Sequence, residues 1–202
     1  MRAVGGGRAV PAWGKLGGAR GNSLLTSLTA AVLLVLLAVE GATIPLIHQL
    51  LSLHVFLGVL LLGPVTLKLA STGYRFLRYY RGRADYVSLG PPAVLMRFVV
   101  APILVISTLV LFGSGVALIA SPERGTVLTL HKASFLIWFG AMTVHVLSYA
   151  LRVGRQLAAE KTFQVDGRWY RIGVALLAIG AGVVTAVMTY SLANPWFHGL
   201  AQ

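Results

Sequence analysis

The chain has 202 residues, 57% of them hydrophobic and 11% charged, with a mean hydropathy of +0.81. That balance excludes an ordinary soluble domain and leaves room for one membrane domain with no sizeable soluble module. The net charge of +12 is gathered in Arg2–Arg20, Lys68–Arg97 and Arg152–Arg171, so it marks alternate loops and offers no continuous surface for nucleic acid. Cysteine is absent, which removes disulfides, thiolate zinc sites and cysteine-ligated iron–sulfur clusters.

Residues 1–22, rich in Gly, Ala and Arg, lack periodicity and read as a disordered cytoplasmic arm. Ser23–Ile44 is the first predicted span, with Glu40 near its end. A basic stretch before an apolar run also has the outline of a signal peptide, but the near-membrane length favours a retained helix. Leu46–Ala70 is the second span, reached through a connection so short that it requires an antiparallel hairpin. It carries His48, His54 and Lys68, and its Gly63-Pro64 pair predicts a bend. The aromatic, basic stretch Tyr74–Pro92 reads as a cytoplasmic loop.

Val94–Ala120 is the third span and Ser121–Gly125 an outside turn. Thr126–Leu151 is the fourth span, Arg152–Arg168 a second cytoplasmic loop, and Tyr170–Leu192 the fifth span. Gly180-Ala181-Gly182 within the fifth permits close helix approach. Residues 193–202 form a tail that includes His198. The fold class is therefore all-α: a polytopic membrane bundle of five helices, N-terminus cytoplasmic, C-terminus extracytoplasmic. Spans two to five supply a four-helix core.

The chemistry concentrates in the fourth span. His131 and His145 lie 14 residues apart, which returns them to nearly the same helix face, separated by roughly 21 Å of rise. An imidazole at membrane depth needs a partner. Spans two and four run in the same direction, and their inner basic anchors are Arg75 and Arg152. Counting back from these, His54 and His131 each lie 21 residues away, and Lys68 and His145 each lie seven away. The outer level thus has facing histidines, and the inner level has histidine opposite lysine. His48 lies well around the helix from His54.

Facing imidazoles at one depth are how a bundle holds a b-type haem axially. Gly58 and Gly140 leave room beside the ligands. Lys132 or Arg124 could meet outer propionates, and Arg75, Arg78 or Arg152 inner ones. A hydrogen-bonded structural pair between helices is the alternative role for His54 and His131. Zinc is less well matched, because carboxylates and close ligand spacings are missing.

The run His54-Val-Phe-Leu-Gly58, continued through Lys68 to Tyr74-Arg75-Phe76, and then His131-Lys132, Trp138 and His145, resembles the bacterial membrane b-type cytochromes of the cytochrome b561-like, four-helix kind. The likeness covers about Leu46–Leu192, leaving the first helix and the arm outside it. It implies haem b, with His54, His131 and His145 as iron ligands and Gly58, Lys68, Arg75 and Lys132 around the cofactor. It also implies exchange with quinone or quinol, an extracytoplasmic oxidoreductase partner and residence in the cell membrane among its lipids. Four histidines hold two haems in such proteins. Here Lys68 replaces the fourth, so the resemblance implies one haem, and a second only if His145 finds another ligand. A small transporter or channel component, or a cofactor-free assembly subunit, are the competing functions.

Overall fold

The computed structural model describes residues 17–91, 93–121, 125–163 and 166–199. Among these every regular element is helical. Helix α1 (Gly18–Thr43) leads through a 3₁₀ turn (Ile44–Leu46) into α2 (Ile47–Tyr80), followed by the short α3 (Ala84–Val87). A π-helical turn (Met96–Val100) opens α4 (Ala101–Ala120). Then come α5 (Thr126–Phe163), α6 (Arg168–Thr189), a second 3₁₀ turn (Tyr190–Ala193) and α7 (Asn194–Phe197).

Among the described residues four helical segments are long and apolar enough to cross a membrane: Gly18–Tyr80, Met96–Ala120, Thr126–Arg155 and Arg168–Phe197. Five were predicted. The difference arises at the first connection, where helical structure runs through the turn and makes α1 and α2 one segment of 63 residues. Its two arms nevertheless lie antiparallel. Asn22 Nδ2 donates to Ser71 O at 3.2 Å, Lys68 Nζ to Thr26 O at 2.9 Å, and Thr43 Oγ1 lies 2.9 Å from His54 Nδ1.

The outer faces are apolar and much of the buried face is polar. Leu147, Leu151 and Leu177 are 78%, 81% and 75% exposed, whereas Asn22, Ser27, Thr29, Ser107, Thr108 and Ser114 are buried. Water would select the reverse; a bilayer solvates the leucines and leaves small polar residues to pack helices together.

Several boundaries differ from the sequence reading. The arm predicted over residues 1–22 lies mostly outside the described residues, but its last five belong to α1, which starts at Gly18. Gly17 precedes it at φ 82°, and a Cβ there would lie 2.7 Å from Asp166 O. Only glycine suits both the left-handed backbone and that approach to the start of α6. Helix α2 is 34 residues, about 51 Å at 1.5 Å per residue, and so takes in the start of the predicted loop Tyr74–Pro92, through Tyr80. Helix α5 likewise continues to Phe163 rather than ending at Leu151. Loss of apolar character ended the predicted spans, but Arg, Leu and Ala still favour helix.

The non-helical dihedrals in α2 fall at Leu50 (φ −111°, ψ 18°), not at Gly63-Pro64. Pro102 instead acts at the start of α4. It has no N–H to donate to residue 98 and crowds that carbonyl, and the preceding turn widens, with Ala101 N–H reaching back to Met96 O. Between α2 and α4, Tyr86 of α3 is buried edge-on against Tyr74, with ring centroids 6.0 Å apart. Burial, reinforced by Tyr74, pushes its phenol up to about 12.

Helices α1, α2, α4 and α5 form a ring in which α1 touches α2 and α5, and α4 touches α5 and, more lightly, α2. Helices α2 and α5 therefore stand on a diagonal with little or no close backbone approach. This differs from the core expected from spans two to five: α1 takes a place in the ring, and α6 packs against α2 and, more lightly, α1. Side-chain-free contacts explain the placement of α6. A Cβ on Gly63 would collide with Ala178 O, and one on Gly182 with Leu60 O. Glycine at both positions lets the two backbones touch.

Candidate functional site

Helix α2 carries His54 on the face turned to the end of α1. Its Nδ1 lies 2.9 Å from Thr43 Oγ1 and 3.0 Å from Glu40 Oε1. The Thr43 hydroxyl donates its one proton to Glu40 O at 2.6 Å, so towards His54 it can only accept. Nδ1 therefore carries the ring proton and donates to Thr43 Oγ1 and the Glu40 carboxylate. Nε2 has no hydrogen-bond partner among the described residues, and its lone pair is left for a ligand.

His131 on α5 repeats the arrangement against α4. Its Nδ1 is 3.1 Å from Leu111 O, which can only accept, and 3.1 Å from Ser114 Oγ. Ser114 donates its own proton to Leu111 O at 3.0 Å. Again Nδ1 is the donor and Nε2 is unpartnered among the described residues. Gly115 makes the contact close: a Cβ there would lie 3.3 Å from His131 Cε1. The two diagonal helices thus carry the imidazoles, and the other two hold their rings by the nitrogen that a metal would not use.

His54 lies within electrostatic reach of His131, Lys68 of His145, and Arg75 of Arg152. The two levels differ in their chemistry. Lys68 gives its ammonium to Thr26 O, while His145 has its ring 5.0 Å from that of Tyr149. Between the levels, seven residues from each histidine of α5, Trp138 is buried and donates to Thr108 Oγ1 at 3.1 Å. Its indole is turned to α4 at a height midway between the two histidines of α5.

The remaining predicted site residues are more dispersed. Gly58 faces α1, where a Cβ would lie 3.5 Å from Glu40 Oε1, so the room it leaves adjoins that carboxylate. Among the described residues nothing lies within 4 Å of a Cβ built on Gly140. Lys132 is exposed beside His131, and Arg75 is half-buried near Tyr149 and Arg152. His48 and His198 are exposed, and Arg124 lies outside the described residues. Glu40, Thr43, Ser114 and Gly115 were not read as site residues from the sequence. Glu40 carried the one available signal, as an acid inside an apolar span.

Among the described residues no group of three or more His, Cys, Asp or Glu could hold a metal ion. The donor set is two imidazoles from opposed helices, which suits a metal whose other ligands come from a planar macrocycle better than a four-ligand protein site. No family model matches the chain, and neither curated proteins nor solved structures show a significant similarity to it.

Proposed function

We propose that this protein is a membrane b-type cytochrome that passes electrons between the quinone pool and an extracytoplasmic redox partner. The observation that carries the proposal is the matched state of His54 and His131. Each ring is held through Nδ1–H, each Nε2 is free of hydrogen bonds among the described residues, and the helices bearing them stand apart on a diagonal. Haem b, when bound, would supply one-electron exchange; His54 and His131 would hold its iron, and α1 and α4 would orient their rings.

In this proposal α1, α2, α4, α5 and α6 each cross the membrane, with the N-terminus cytoplasmic and the C-terminus outside. The basic ends of α2 and α5 then lie at the cytoplasmic face among anionic lipid headgroups. His54 and His131 hold one haem near the outer face. The inner level takes none, because Lys68 is engaged with α1 and His145 has no facing imidazole. A cleft of about 370 Å³ at the basic end, lined by Met96, Ser148, Tyr149, Arg152 and neighbouring apolar residues, gives a quinone ring both an apolar wall and donors.

A polar path for ions or solutes is less well supported. The buried hydroxyls of Ser107, Thr108 and Ser114 each donate to a carbonyl of their own helix, which leaves them no proton for a passing solute. Haem content of the purified, haem-replete protein tests the proposal. One haem b per chain is expected; protein that folds and retains none would overturn it.

A further inference from the structure

The two imidazoles are not held alike. His131 is bound by two neutral acceptors, Ser114 Oγ and Leu111 O, whereas His54 is bound by one neutral acceptor, Thr43 Oγ1, and one carboxylate, Glu40 Oε1. For orienting the His54 ring the carboxylate is redundant, because Thr43, itself only 1% exposed, already accepts the Nδ1 proton. What Glu40 adds is an acid that can carry charge where a cationic metal across the ring would compensate it. A carboxylate at membrane depth is expensive unless compensated, and here its other oxygen, Oε2, is buried with no hydrogen-bond partner among the described residues. Glu40 is also the single acid within the apolar spans of the sequence. The one side-chain N–H that it meets among the described residues is on His54, whose opposite nitrogen is the proposed iron ligand.

We infer that Glu40 is a positioning residue that acts on the haem iron through His54, its carboxylate making the axial imidazole a stronger donor and favouring oxidised over reduced iron. The inference rests on the haem reading above. A carboxylate behind a ligating histidine raises the basicity of the ligand, and outer-shell partners of this kind typically change metal affinity by about 10–100-fold. Iron in its oxidised state carries the additional positive charge, so it gains more from the negative group than the reduced state does. This also accounts for an acid whose second oxygen has no partner: the compensating charge is the metal across the ring.

Redox titration of haem-loaded wild type, Glu40→Gln and Thr43→Val at one pH tests the inference. Gln keeps the shape and an acceptor oxygen but removes the charge; Val removes the neutral acceptor and leaves the charge. Glu40→Gln should retain haem and raise the reduced-to-oxidised ratio at a fixed potential by at least tenfold, a shift of about 59 mV for one electron. Thr43→Val should shift it less than threefold. A Glu40→Gln ratio within twofold of wild type, or an equal shift in Thr43→Val, overturns the inference while leaving the haem reading intact. If Glu40→Gln loses its haem, Glu40→Asp decides: haem retained there supports the charge, and haem lost there makes the role one of shape and overturns it. Wild type without haem sinks both ideas.

Discussion

A hydroxyl has one proton to give, and at both outer histidines it is already committed to a backbone carbonyl. That small accounting fixes the donor as Nδ1 and turns two unremarkable serine and threonine positions into parts of the site. Each ring has a second acceptor, so neither hydroxyl is indispensable. Ser114→Ala leaves Leu111 O, and Thr43→Val leaves Glu40, so each should weaken haem retention by about tenfold, at the lower end for an outer-shell partner. Competition with an apo-haem acceptor protein measures this, and loss of all haem in either variant would show that the second acceptor does not hold the ring. Gly115→Val should do more, because a side chain there strikes His131 itself, whereas Gly113→Ala meets open space and should be silent. Equal haem content in the two glycine variants would contradict the placement of His131 against α4.

At the scale of elements, the α2–α6 contact is the tightest place to test the packing. Gly182→Leu must force the backbones apart and should cost about 3 kcal/mol, the upper range for overpacking, read as a lower unfolding midpoint in detergent. Gly180→Ala, with nothing nearby, should change the midpoint little. Comparable destabilisation by both would mean that α6 does not dock on α2 through Gly182. The Gly-Ala-Gly run announced a close helix contact but not which partner would receive it. The same limit explains why α1 was placed outside the core. Its Asn22, Thr26, Thr29 and Thr43 make a polar face, but apolar residues surround them and blur the periodicity. Helix levels, by contrast, are proposed from chain lengths counted between His54, Lys68 and Arg75 and between His131, His145 and Arg152. Rise along a helix follows from counting alone. Rotation between helices does not, and Glu40, Thr43 and Ser114 became visible only once that rotation was known.

Across the whole molecule, the apolar exterior, the polar seams and the basic end formed by α2, α5 and the start of α6 have one orientation in common. With five crossings, a reporter fused after residue 202 and active only in the cytoplasm should be silent, and one fused after Arg81 should be active. Activity at both sites would reduce the crossings to an even number beyond the first hairpin and remove the proposed side for the haem.

The proposed haem pair can be tested most directly by the reduced-minus-oxidised visible spectrum of the purified protein and of three variants, His54→Ala, His131→Ala and His145→Ala. Wild type should show a sharp α-band and a Soret shift on reduction; both outer variants should lose most of this signal, and His145→Ala should keep it. A signal that survives in His131→Ala but vanishes in His145→Ala would contradict the pairing and put the iron at the inner level, opposite Lys68.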